Sequence, residues 1–367
     1  MPELSSPDAE DKIRQMLATI DSGKLPNKQV KMEMFDLLES YECWQPLFQL
    51  IQLSAGKTDS RSVEDYVRLA KVQNVYLENI AAAAETCVKA VDIMHMTYKD
   101  FQQFMLPKII ERDDWAAESK ILQALWQKFS DADGKVAALE RLCLLFEKKI
   151  FNDGELGSAY SRLLQIDPKN IKALRYFKVV YTQNYEWEKV ANILQDLISA
   201  SSHPQDIFRL AQELAAVSLY QLDRPRESIQ ILETYCEGSP LDASTIHYDA
   251  YQRLGDWQGC LKVLRQCLLS VEEDGGRSVL LLKIGLLEEK MGHLDVAAQS
   301  FRRAIQLWPK FLEPYERLVQ ISAQKKNWNE ALEWLGKLHD HVEDLTLRAR
   351  LDELKVRLQD GLRYAAD

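Results

Sequence analysis

Small and bulky apolar residues recur in this 367-residue chain at an interval of 34. Ala297, Phe301 and Ala304 are followed at that spacing by Ala331, Leu335 and Leu338. Ahead of each trio, Leu281, Ile284 and Gly285 align with Tyr315, Leu318 and Val319, and Leu294 aligns with Trp328. The same internal spacing returns upstream in Ser228, Leu232, Tyr235 and Pro240, in Cys260, Leu264 and Cys267, and in Val190, Leu194 and Leu197. It appears again in Leu156, Tyr160, Leu163 and Pro168, preceded by Leu139, Leu142, Cys143 and Phe146. A fixed period of this length is the mark of a stacked repeat architecture.

Within each period the apolar residues form two helical stripes with a short break between them. Gly255 and Gly292 fall in such breaks, and Pro168, Pro240 and Pro309 follow second stripes, where a missing N–H ends a helix. Gly285 and Ala297 let two helices approach closely, while Phe301 and Leu335 fill the space between successive pairs. A lone hairpin cannot bury its stripe; stacking buries it. The spacing therefore predicts an all-α chain, an α-solenoid of helix-turn-helix units. Only 14 glycines and 11 prolines argue against an all-β chain, which needs many tight turns.

The pattern Leu281-x2-Ile284-Gly285 … Gly292 … Ala297-x3-Phe301-x2-Ala304-x4-Pro309 resembles the tetratricopeptide repeat family. The resemblance extends over roughly 135–340, with Glu288 in place of an aromatic residue and Val190 in place of alanine. It implies a right-handed superhelix whose first helices line a concave groove that takes extended peptides or partner helices. Groove residues would be Lys172, Arg175, Tyr176, Val179 and Gln183, then Glu213, Leu214, Val217 and Tyr220. Asp249 and Arg253 follow, then Leu282, Lys283, Leu286 and Lys290, then Arg317, Gln320 and Gln324. One branch of the family grips acidic chaperone tails with a Lys/Asn/Asn/Lys/Arg clamp. The matching positions hold Arg175, Val179, Glu213 and Val217, without the asparagines, which argues against that ligand.

The expected organisation is a flexible stretch over 1–8, a diverged helical-repeat region over 9–132, the repeat array over 133–340 and a capping helix over 343–367. Trp44-x2-Leu47-x2-Leu50-Ile51 and Trp115-x6-Leu122-x2-Leu125 read as second helices of diverged units, and Ser6-Pro7 as a helix start. Trp44, Trp115, Trp187, Trp257 and Trp328 all open second helices, a recurrence that points to packing. Leu347, Leu351, Leu354, Leu358 and Leu362 form one face of the last helix, either a cap on the final repeat or a self-association seam.

The net charge of −10 argues against general nucleic-acid binding. No run approaches the ~20 apolar residues of a membrane span, and the N-terminus has neither the basic start nor the apolar core of a signal peptide. The expected location is the cytoplasm. Cys43, Cys87, Cys143, Cys236, Cys260 and Cys267 contain no C-x-x-C pair and read as packed thiols. Gly56-Lys57-Thr58 lacks the rest of a phosphate loop, and Asp131-Ala132-Asp133-Gly134 fails as a calcium loop at Lys135 and Leu142. His339, His341, Glu343 and Asp344 read as a solvated helix end.

The expectation is thus a non-catalytic scaffold or adaptor for a protein or peptide, with no cofactor, no metal, no nucleic acid and no membrane insertion. A signalling, polarity or motility assembly is the setting adopted for it. The second expectation is a structural protein, a homodimer through its N-terminal region or C-terminal helix. An enzyme with a spatially assembled site ranks last.

Overall fold

The computed structural model describes residues 7–22, 27–55, 63–111, 113–236 and 242–366. Ser6, Gly56-Lys57-Thr58 and Pro240 lie outside them. All regular structure among the described residues is helical. The chain divides into two compact units, residues 1–176 and 177–367.

The first unit starts with α1 (Pro7–Asp21) and the hairpin α2 (Lys28–Ser40) and α3 (Trp44–Ala55). Next come α4 (Val63–Lys71) with α5 (Ile80–Met94), then α6 (Tyr98–Asp100) and α7 (Leu106–Ile109), joined into one first helix, with α8 (Trp115–Leu125). The pair α9 (Ala132–Leu145) and α10 (Asp153–Ile166) follows. Here α8 packs directly on α9.

Helix α11 (Ile171–Gln183) carries the boundary, and α12 (Trp187–Ala200) follows it. The second unit continues with α13 (Pro204–Ala216) and α14 (Pro225–Tyr235), α15 (Asp242–Leu254) and α16 (Trp257–Ser270). It then runs through α17 (Asp274–Lys290) and α18 (Leu294–Leu307), α19 (Leu312–Gln324) and α20 (Trp328–His341), and ends with α21 (Leu345–Ala366).

The tight turn after a first helix has a local cause. Its closing N–H reaches back five residues, as in Tyr181–Glu186, Tyr251–Asp256, Glu288–His293 and Ser322–Asn327, at 2.8–2.9 Å. That wrap needs a left-handed residue, found at Tyr185, Gly255, Gly292 and Lys326. Three first helices instead end in a π turn, at Val72–Tyr76, Phe146–Ile150 and Val217–Gln221, and there the closing bond spans six residues. Each π turn absorbs one additional residue and so keeps the next helix in register. The second helix is then started by a side-chain cap: Asp114, Asp256 and Asn327 accept from the backbone N–H three residues on, and Trp115, Trp257 and Trp328 follow them.

Lys326 and Tyr185 hold a place that Gly255 and Gly292 fill elsewhere, with φ of 58° against 69° and 83°. A left-handed conformation strains a residue that has a Cβ. We expect Lys326→Gly to raise stability by about 0.5–1 kcal/mol, once the greater backbone freedom of unfolded glycine is subtracted. Chemical denaturation checks this, and a lower midpoint would contradict it.

Leu351 and Leu358 of α21 are buried against Tyr315, Leu335, Leu338 and Val342, with Leu347 and Leu354 at the edge of the same cluster. This leucine face is occupied within the chain. No described helix is long and apolar enough to cross a membrane.

Candidate functional site

In the second unit the sequence-derived groove residues separate into three kinds. Leu214, Val217 and Leu282 are 2%, 8% and 6% exposed and belong to the core, so they offer a ligand almost no surface. The first-helix stripe is wider than a surface reading allows, because each first helix packs against neighbours on more than one side.

A second group holds successive first helices together. Lys178 donates to both carboxylate oxygens of Glu213 at 2.9 Å, tying α11 to α13. The Tyr220 hydroxyl donates to Asp249 Oδ2 at 2.6 Å. Burial first, then that bond, pushes the Tyr220 phenol up to about 12. Arg253 Nη1 donates to the Leu219 carbonyl at 2.7 Å and to Asp223 at 3.0 Å, and its guanidinium lies 5.5 Å from the Tyr220 ring centre. Tyr220, Asp249 and Arg253 therefore form one network across α13 and α15.

The third group lines open space. Leu286, Glu289 and Lys290 of α17, Leu294 of α18, and Arg317 and Gln324 of α19 surround a groove of about 550 Å³. Lys290 Nζ sits 3.6 Å from the centre of the Trp257 ring, and Arg317 donates to Gln320 at 3.4 Å. Glu289 Oε2 is buried there without a hydrogen-bond partner. The walls thus supply aliphatic surface, two cations, an amide and an unsatisfied acceptor. Lys283 is exposed nearby on the same helix, as are Val179 (51%) and Gln183 on α11.

In the first unit, Lys172 pairs with Glu140 at 3.1 Å and the Tyr176 ring stacks on Tyr160 at 4.6 Å, while Arg175 is exposed. The larger opening of this unit was not legible from the repeat pattern. Met32 of α2, Val67 and Arg68 of α4, and Phe104 and Pro107 of the third first helix are among the residues bounding a groove of about 810 Å³. Phe104 lies three residues from buried Phe101 in a π turn (Phe101–Met105) and is exposed.

Burial pushes the Cys87 and Cys143 thiols up to about 12 and those of Cys236 and Cys260 to about 11, away from the thiolate. His339, His341 and Asp344 diverge: His339 faces Asp352, His341 lies beside Tyr315, and Asp344 caps α21 through Thr346 and Leu347. Among the described residues no group of three His, Cys, Asp or Glu could hold a metal ion. Asp131 caps α9 through the Gly134 N–H at 2.7 Å.

Residues 280–310 match the family profile described as tetratricopeptide repeat. Solved structures similar to this chain include the MamA protein, at 14% identity over 47% of this chain and 91% of that one, with a TM-score of 0.35. Yeast Tom70 is 13% identical over 84% of this chain and 66% of that one, with a TM-score of 0.33. A tetratricopeptide repeat protein from Parabacteroides merdae is 14% identical over 80% of this chain and 98% of that one, with a TM-score of 0.26. No curated protein sequence matches this chain.

Proposed function

We propose that this chain, a bearer of the tetratricopeptide repeat at 280–310, is a non-catalytic scaffold that holds a segment of a partner protein in the first-helix groove of its second unit. The observation behind this reading is convergence. Leu286, Lys290, Arg317 and Gln324 come from two successive first helices and bound a single groove.

The groove chemistry suits a peptide. Leu286 and Leu294 take an apolar anchor, Gln324 meets a peptide group, and Arg317 offers a planar donor fork to a carbonyl or carboxylate. Glu289 Oε2 accepts an N–H from the bound segment. An acidic chaperone tail is a poor fit at the clamp positions, since Glu213 is an anion already tied to Lys178 and Val217 is buried.

Arg317→Glu combined with Gln324→Ala tests the reading, because neither side chain supports the core. We expect affinity isolation at low ionic strength to lose a specific partner by about 30-fold with an unchanged melting temperature. Equal recovery of the same partner by both forms would remove the groove from the function. Arg253 is unsuited to this test, since its change would also release Leu219 and Asp223.

A further inference from the structure

We propose that the first-helix groove of the first unit is a self-association face, occupied by a second copy of this chain. Apolar side chains stand open among its charged walls: Phe104, Met32 and Val63 are 57%, 40% and 39% exposed beside it. A large side chain projecting beside a groove of about 810 Å³ puts a knob and a hole on one patch, which a two-fold axis can match to itself. Phe104 of each copy enters the groove of the other, so one patch serves as both knob and hole.

The charges around the groove identify the occupant. Glu39, Glu64 and Glu111 balance Arg68, Lys71 and Lys108, and none of the six has an oppositely charged partner among the described residues. Arg68 and Lys71 lean over the Phe35 and Tyr76 rings instead, and Arg68 Nη1 is buried without a hydrogen bond. Elsewhere comparable side chains pair within the chain, as in Lys31–Asp65 and Arg141–Glu118. A chain of net charge −10 repels its own copy over most of its surface. A balanced face is where two copies can meet.

The order of charge along α4 makes the face self-complementary. Glu64 stands at its N-terminal end and Arg68 and Lys71 toward its C-terminal end, with Glu64 and Lys71 about 10 Å apart along the axis. A two-fold rotation about the middle of the groove brings the acidic end of one copy to the basic end of the other. A groove for an acidic or basic partner would carry an excess of one sign instead.

The experiment is sedimentation equilibrium of the full chain over a range of concentrations. The unaltered chain is expected to form a dimer that dissociates on dilution. Phe104→Asp and Phe104→Ser should each weaken it by about 30-fold, with helix content unchanged by circular dichroism. Lys71→Glu alone and Glu64→Lys alone should each weaken it, and the two changes together should restore it, because the pair is exchanged on both sides of the two-fold. A monomer at every concentration overturns the proposal, as does a dimer indifferent to Phe104. A double variant as weak as the singles overturns the facing of Glu64 and Lys71. The inference does not rest on the groove of the second unit, and loss of dimer should leave partner capture there intact.

Discussion

Phe301→Ala is expected to lower the stability of the second unit by about 3–5 kcal/mol. The ring is fully buried in a cluster with Leu282, Ala297, Ala298, Leu318 and Ile321, so it touches its own hairpin and the next one. The helix opposite is already as close as it can come. A Cβ placed on Gly285 would fall 2.7 Å from the Cδ1 and Cζ carbons of that ring. Gly285→Ala should therefore cost about 1–3 kcal/mol in the natural chain and much less once Phe301 is leucine. A double-mutant cycle by chemical denaturation measures the coupling, and hydrogen exchange in α17–α20 localises it, since repeat arrays lose structure by neighbouring units. Purely additive effects would mean that the glycine is not there for the ring.

Arg141→Leu should destabilise the first unit for an electrostatic reason. Arg141 Nε and Nη2 donate to the two carboxylate oxygens of Glu118 at 2.7 and 2.9 Å. The Glu118 side chain is 5% exposed and that of Arg141 31%. Removing the arginine leaves a buried carboxylate with its principal partner gone. The usual cost of breaking a buried pair is about 3–5 kcal/mol, and water reaching the open side reduces it to about 2–3 kcal/mol here. Replacing both Glu118 and Arg141 by leucine should recover most of the loss, because no charge is then stranded. Thermal unfolding of the two single variants and the double variant decides the matter. A single variant no worse than the double would show that the pair is structurally idle.

Glu288 repeats that device in the second unit. Its side chain is 4% exposed and is met by Arg265 at 3.0 Å and His293 Nδ1 at 2.9 Å. From sequence it was a departure, a carboxylate where the resembled family has an aromatic residue. Nothing in the local pattern names its partners, because Arg265 belongs to the preceding hairpin and lies 23 residues away. The structure turns the departure into an ion pair between neighbouring hairpins.

The groove residues divide along the same line. A first-helix stripe can be read from periodicity, but which of its members are walls, bolts or core depends on the helices to either side. Leu286, Lys290, Arg317 and Gln324 face open space. Tyr220, Asp249 and Arg253 are joined to one another or to the neighbouring backbone. Leu282 has the same helical phase as a ligand contact and is nevertheless buried.

What the linear pattern determined by itself was the helical hairpin and its period. Both follow from forces acting within about ten residues: apolar spacing, a left-handed turn residue, a side-chain cap and a tryptophan after it. What tertiary structure alone decided was the extra residue absorbed by each π turn, the partners of Glu118 and Glu288, and the outward aim of Phe104. Those depend on side chains 20 to 35 residues apart meeting across stacked helices, and a local pattern carries no record of which of them will share a low-dielectric space.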